Sequence, residues 1–201
     1  MELILASASP RRAELMRMCG YEFTVIPSAA DESAVEAETP EELVKRLALV
    51  KAESVMASLS VERRRGAVVI GSDTVVVLDG HILGKPRSEM EAAAMLRAER
   101  GRVNTVYTGL AVIRTLNENG VDRIETSSVC DEAYVHFLPL SEDEIMAYIA
   151  TGEPMDKAGA YGIQGRSSMF IDRIDGSYFT VVGLPVHLLY RELKRIGIEA
   201  F

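Results

Sequence analysis

The stretch AVVIGSDTVVVL, residues 67–78, is apolar almost without a break and dense in β-branched residues. That is the pattern of a strand buried on both faces, not of one half exposed. It ends at the turn signal Asp79-Gly80 and leads to a second short strand, HILG. Around it, ELILA (2–6) and YEFTVI (21–26) read as strands, and a helix runs from Pro10 to near Gly20. Thr39 caps a helix from Pro40 to about Ser58, Ser88 caps one over 88–100, and Ser141 with Glu144 forms a capping box for a helix that stops at Gly152. Long strands are expected at 102–116 and 121–138, joined by the turn NENG. A strand over 168–174, a turn at DGS, the short segment YFTVV and a helix after Pro185 close the chain. Interleaved strands and helices followed by long hairpins predict a mixed sheet in an α/β fold. The 201 residues suit a single domain over 1–201, with room for two lobes around a cleft.

Composition excludes several classes of partner. A net charge of −8 and a pI near 5.0 argue against a nucleic acid polymer or an acidic membrane surface, both of which attract a basic field. MELILASASP lacks the positive flank of a secretory signal, and no run reaches the length of a membrane span, so a cytoplasmic protein is expected. The two cysteines, Cys19 and Cys130, read as plain thiols in a reducing compartment. With three histidines, no HExxH and no GxSxG, zinc-protease and serine-hydrolase chemistries have no support.

Several charges sit where their own element does not want them. Asp73 interrupts the buried strand, where a carboxylate needs a cation or several hydrogen bonds. Lys51 falls in line with Val44, Ala48 and Val55 on the core-facing stripe of its helix. Lys85 is held between a glycine and a proline. Arg11 and Arg12 stand at a strand-to-helix junction beside Ser7 and Ser9, where free N–H groups and guanidinium forks suit an anion. Asp156, Lys157 and Gln164 lie in the glycine-rich loop GEPMDKAGAYGIQGRSS. Each has a structural alternative: an Asp satisfied by backbone N–H groups with Gly71 marking a bulge, a snorkelling Lys51, a generic turn lysine, surface arginines near an N-cap. Taken together with Glu32, the set suggests a nucleoside triphosphate and a divalent metal.

The segments SASPRRAEL, KA at 51–52, GSDTVVVLDGHILGKP, VYTG, TGEPMDKAGAYGIQG and GSYFTVVGLP, in this order over nearly the full chain, resemble the Maf family of nucleoside triphosphate pyrophosphatases. The resemblance implies an elongated mixed sheet flanked by helices, with a cleft between two lobes, similar to inosine triphosphate pyrophosphatases. It implies hydrolysis between the α- and β-phosphates with a divalent cation, Mg or Mn. Asp73 would then activate water as a catalytic base, with Lys51, Lys85 and Glu32 beside it. Ser7, Ser9, Arg11, Arg12, Thr74, Lys157 and Gln164 would bind substrate, and Glu32, Asp73 and Asp156 would hold metal. Arg11, Thr74 and Gln164 match the branch that prefers dTTP and UTP, and a homodimer comes with the same resemblance. Many members carry His where this chain has Asn104. Two other readings share the pocket: a non-catalytic nucleotide-binding regulator of cell division, and a pyrophosphatase for inosine-type or modified nucleotides.

Overall fold

The computed structural model describes residues 1–33, 35, 37, 39–118 and 121–200. Strand β1 (Glu2–Leu5) gives way to α1 (Pro10–Met18), which starts with proline at its first turn. β2 is only Thr24–Val25, shorter than the expected 21–26. The reason lies at Tyr21, whose N–H is taken by Met16 O at 3.2 Å, so the chain is still closing the helix where the strand was expected to begin. Next come α2 (Pro40–Ser58), capped by Thr39 Oγ1 accepting from Glu42 N at 3.2 Å, and the short α3 (Val61–Arg64). β3 (Ala67–Leu78) turns into β4 (His81–Leu83), and α4 (Glu89–Glu99) follows with Ser88 as its cap.

β5 (Val103–Glu118) and β6 (Val121–Phe137) are the long strands; the Asn119-Gly120 part of their expected turn lies outside the described residues. α5 (Glu142–Ile149) carries the predicted capping box of Ser141 and Glu144. The glycine-rich loop folds as three 3-10 turns, Glu153–Asp156, Ala158–Ala160 and Arg166–Phe170. The last displaces the strand expected from 168: Ser168 N and Oγ both bond Gly165 O, at 3.1 and 2.6 Å, so β7 is Ile171–Gly176 and includes part of the expected DGS turn. YFTVV is a short helix, α6 (Tyr178–Val182), before α7 (Val186–Arg195).

The sheet order is β2-β1-β3-β5-β6-β7, with β4 on β3. β1 is parallel to β2 and β3, whereas β4 is antiparallel to β3 and β7 to β6, which makes the sheet mixed and the fold α/β as expected. The chain falls into two compact units: Met1–Asp73, Thr108–Asp131 and Gly183–Phe201 form one, Thr74–Tyr107 and Glu132–Val182 the other. Ile4, Ala48, Val55, Val69 and Ile113 belong to the core of the first. Leu96, Val135, Ile145, Tyr161 and Phe170 belong to that of the second.

In the first unit two glycines set how closely α2 lies on the sheet. A Cβ at Gly71 in β3 would stand 2.0 Å from Ala48 O, and one at Gly109 in β5 would stand 2.1 Å from Val44 O. Gly71 therefore marks a close approach of helix to strand. Three residues past Ala48 is Lys51, and two past Gly71 is Asp73. The glycines thus bring the helix lysine over the strand carboxylate.

Candidate functional site

The middle of β3 is the only part of that strand that is not buried: Asp73 and Thr74 are half-exposed between fully covered neighbours. In the first unit Lys51 Nζ donates to Asp73 Oδ1 at 2.5 Å and lies 3.0 Å from Glu32 Oε2. The Lys51 and Asp73 side chains are 12% and 13% exposed, so this pair is poorly screened, while Glu32 is at the surface. Lys51 does not snorkel, and Asp73 is answered by a cation.

Arg12 completes this group. Its Nε donates to Gly183 O at 2.8 Å and its Nη1 to Ser7 Oγ at 3.2 Å. Burial pulls the Arg12 pKa down, Asp73 and Glu32 oppose that with their negative charge, and Arg11 adds to it with its own. Arg11 is half-buried, and Ser9 stands at the N-cap of α1 with its N–H on Ser7 Oγ at 3.2 Å. Ser72, next to Asp73, donates its hydroxyl toward Gly109 O at 2.9 Å and Gly183 O at 3.0 Å. Gly183 O thus anchors both Arg12 and the strand. Neither Ser72 nor Gly183 was singled out from the sequence, although both lie inside quoted segments, GSDT and VVGLP.

The remaining predicted residues belong to the second unit. Lys157 is held by its near neighbours, its Nζ donating to Glu153 O and Asp156 Oδ1 at 2.6 Å each. Its side chain is 10% exposed and that of Asp156 69%. Glu153, which the sequence did not flag, organises the loop: its carboxylate takes the Arg166 N–H at 3.1 and 3.2 Å and lies 3.2 Å from the Tyr148 hydroxyl. Ser167 Oγ accepts from Gly162 N at 2.9 Å and donates to Gly162 O at 2.8 Å, closing the loop that carries Gln164. Gln164 and Lys85 are exposed, and Thr74 is half-buried in β3.

Glu32 and Asp73 converge on one ammonium, and carboxylate oxygens are the donors that Mg²⁺ and Mn²⁺ prefer. Among the described residues, however, no group of three or more His, Cys, Asp or Glu is placed to hold a metal. In the second unit the Asp156 carboxylate is engaged by Lys157.

The chain is similar to known proteins along almost its whole length. The family model described as Maf-like protein matches residues 2–196. A dTTP/UTP pyrophosphatase of Symbiobacterium thermophilum is 48% identical over 100% of this chain and 96% of its own length. Proteins of the same name from a Geobacillus species and from Dictyoglomus thermophilum are 48% and 44% identical, each over 98% of this chain and over 98% and 96% of their own lengths. Among solved structures, the Ham1 protein of Staphylococcus aureus has a similar fold at a TM-score of 0.53 and 14% identity, over 98% of this chain and 100% of that one. No described helix is long and apolar enough to cross a membrane. Matched along almost its whole length by the family model and by these relatives, the chain belongs to the Maf family.

Proposed function

We propose that this protein is a nucleoside triphosphate pyrophosphatase that hydrolyses dTTP and UTP between the α- and β-phosphates, releasing the nucleoside monophosphate and pyrophosphate. Relatives named dTTP/UTP pyrophosphatase match it over almost their full length. The observation that carries the reading is the Lys51–Asp73 pair with Arg12 beside it: a carboxylate in a buried strand, set among cations.

Asp73 takes a proton from the attacking water, which makes it the general base. Lys51 holds Asp73 in place and, with Arg12 and Ser7, supplies positive charge and donors for phosphate oxygens. From the second unit, Lys85 and Lys157 are assigned to phosphates, and Thr74 and Gln164, with Arg11, to the choice of base. Ser9 adds a donor at the start of α1. Glu32 and Asp73 would hold a Mg²⁺ or Mn²⁺ ion, which supplies Lewis-acid neutralisation of phosphate charge when bound, and Asp156 is the further candidate ligand. The same reading places the protein in the cytoplasm, with a small nucleotide as its partner.

The test is a panel of nucleoside triphosphates with Mg²⁺ or Mn²⁺, in which monophosphate and pyrophosphate are measured together. Equal amounts of dTMP and pyrophosphate from dTTP, and of UMP and pyrophosphate from UTP, are expected, with little turnover of purine nucleotides. Release of single phosphates would mean that another bond is cut, and the reading would fall.

A further inference from the structure

Glu99 ends α4 inside the core of the second unit, 1% exposed, and the proposed chemistry makes no use of it. Its Oε1 accepts from Asn104 Nδ2 at 3.0 Å, and Asn104 Oδ1 accepts from the Tyr161 hydroxyl at 3.0 Å. Its Oε2 is buried with no hydrogen-bond partner. Burial drives the Glu99 pKa well up, with the Asn104 bond opposing, which favours the protonated carboxyl. Tyr161 is the titratable group that faces it, and Asn104 from β5 is polar but uncharged. α5 and the first two 3-10 turns also pack on α4, and α5 sets Glu142 against Arg97 there.

The turn that follows Lys157 rests on this relay. Ala160 N donates to Lys157 O at 3.1 Å, and Gly159 N donates to Gly84 O at 3.1 Å, which ties the turn to the residue before Lys85. The Gly159 backbone runs against Glu99 itself, since a Cβ there would lie 3.0 Å from Oε1. Ala160 is held at φ 60, in the left-handed region that a non-glycine residue keeps only where its surroundings impose it.

We propose that Glu99 is a positioning residue for the phosphate-holding lysines: through Asn104 and Tyr161 it fixes the turn from Lys157 to Tyr161 and, through the Gly159–Gly84 bond, the approach to Lys85. This rests on the pyrophosphatase reading, in which those two lysines hold phosphates. Three variants test it with dTTP kinetics and thermal melts: Glu99→Gln, Glu99→Leu, and Glu99→Leu combined with Asn104→Leu and Tyr161→Phe. Glutamine keeps the acceptor and puts an N–H where the acid has its O–H, so kcat and KM stay within about twofold of wild type. Leucine strands the Asn104 amide and raises KM by roughly five- to tenfold with little change in kcat. The triple variant has no stranded donor and regains the melting temperature, but not the KM.

A KM that returns together with the melting temperature would reduce Glu99 to a packing role and overturn the proposal, as would a glutamine variant as impaired as the leucine one. A pH series adds an independent sign. Unfolding exposes Glu99 and releases its proton once the pH passes the ordinary 4.5, so the wild type loses stability as pH rises from there towards the raised value, and Glu99→Gln lacks that loss. Hydrogen exchange over 157–161 separates this proposal from the function it rests on. If the turn opens in the leucine variant and stays closed in the glutamine variant while even the wild type leaves dTTP intact, the positioning stands and the pyrophosphatase reading fails. If exchange is the same in both, the positioning is wrong.

Discussion

In the first unit the candidate residues are joined across long stretches of chain: Arg12 reaches Gly183, and Lys51 on α2 reaches Asp73 on β3. In the second, Lys157 is held by Glu153 and Asp156, residues of its own loop. The first arrangement depends on how a helix lies on a sheet and forms only when the unit folds. The second is mostly local, built from turns and main-chain groups, and opens with its loop. Cooperative packing fixes the carboxylate assigned to water, whereas a loop carries a lysine assigned to the substrate.

That contrast predicts unequal costs for removing the two lysines. Lys51→Met removes the ammonium that both Asp73 and Glu32 face; it should cost about 3 kcal/mol of stability, as losing one partner of a poorly solvated pair does, and most of the turnover. Lys157→Met removes a bond to an exposed carboxylate and one to a carbonyl, and should cost under about 1 kcal/mol. Denaturant melts of the two variants side by side measure the gap, and equal losses would break the comparison. Next in size is Gly71→Ala, which pushes α2 off β3 at Ala48 and should cost about 2 kcal/mol while moving Lys51 from Asp73; a variant with unchanged melt and rate would show that the close approach does not position the pair. Ser167→Ala in the loop should cost about 1 kcal/mol, seen as faster hydrogen exchange at 162–167 with the first unit undisturbed.

The same contrast explains what the sequence made readable. Asp73 and Lys51 could be picked out because a charge in a buried strand or on an apolar helix stripe violates the pattern of its element, and the contact between them is the resolution of both violations. Caps and turn residues located α2, α4 and α5 to within a residue or two, because Thr39, Ser88 and Ser141 bond the free N–H groups they precede. The shortening of β2 and the late start of β7 could not be seen, since each follows from a main-chain bond, at Met16 and at Gly165, that no side-chain pattern announces. Ser72, Gly183 and Glu153 escaped for a related reason: a hydroxyl, a carbonyl and a surface-type carboxylate look ordinary until the fold shows what they hold. Resemblance to a family reached further than pattern did, because it ties distant segments together where periodicity sees only one element at a time.

The most direct test of the central claim is pyrophosphate release from dTTP by Asp73→Asn beside the wild type, with the melt of each recorded. Asparagine keeps the size of the side chain and cannot accept the water's proton, so a folded variant should release pyrophosphate at least about 100-fold more slowly. A folded Asp73→Asn protein that turns dTTP over at the wild-type rate would contradict the assignment of Asp73 as the base.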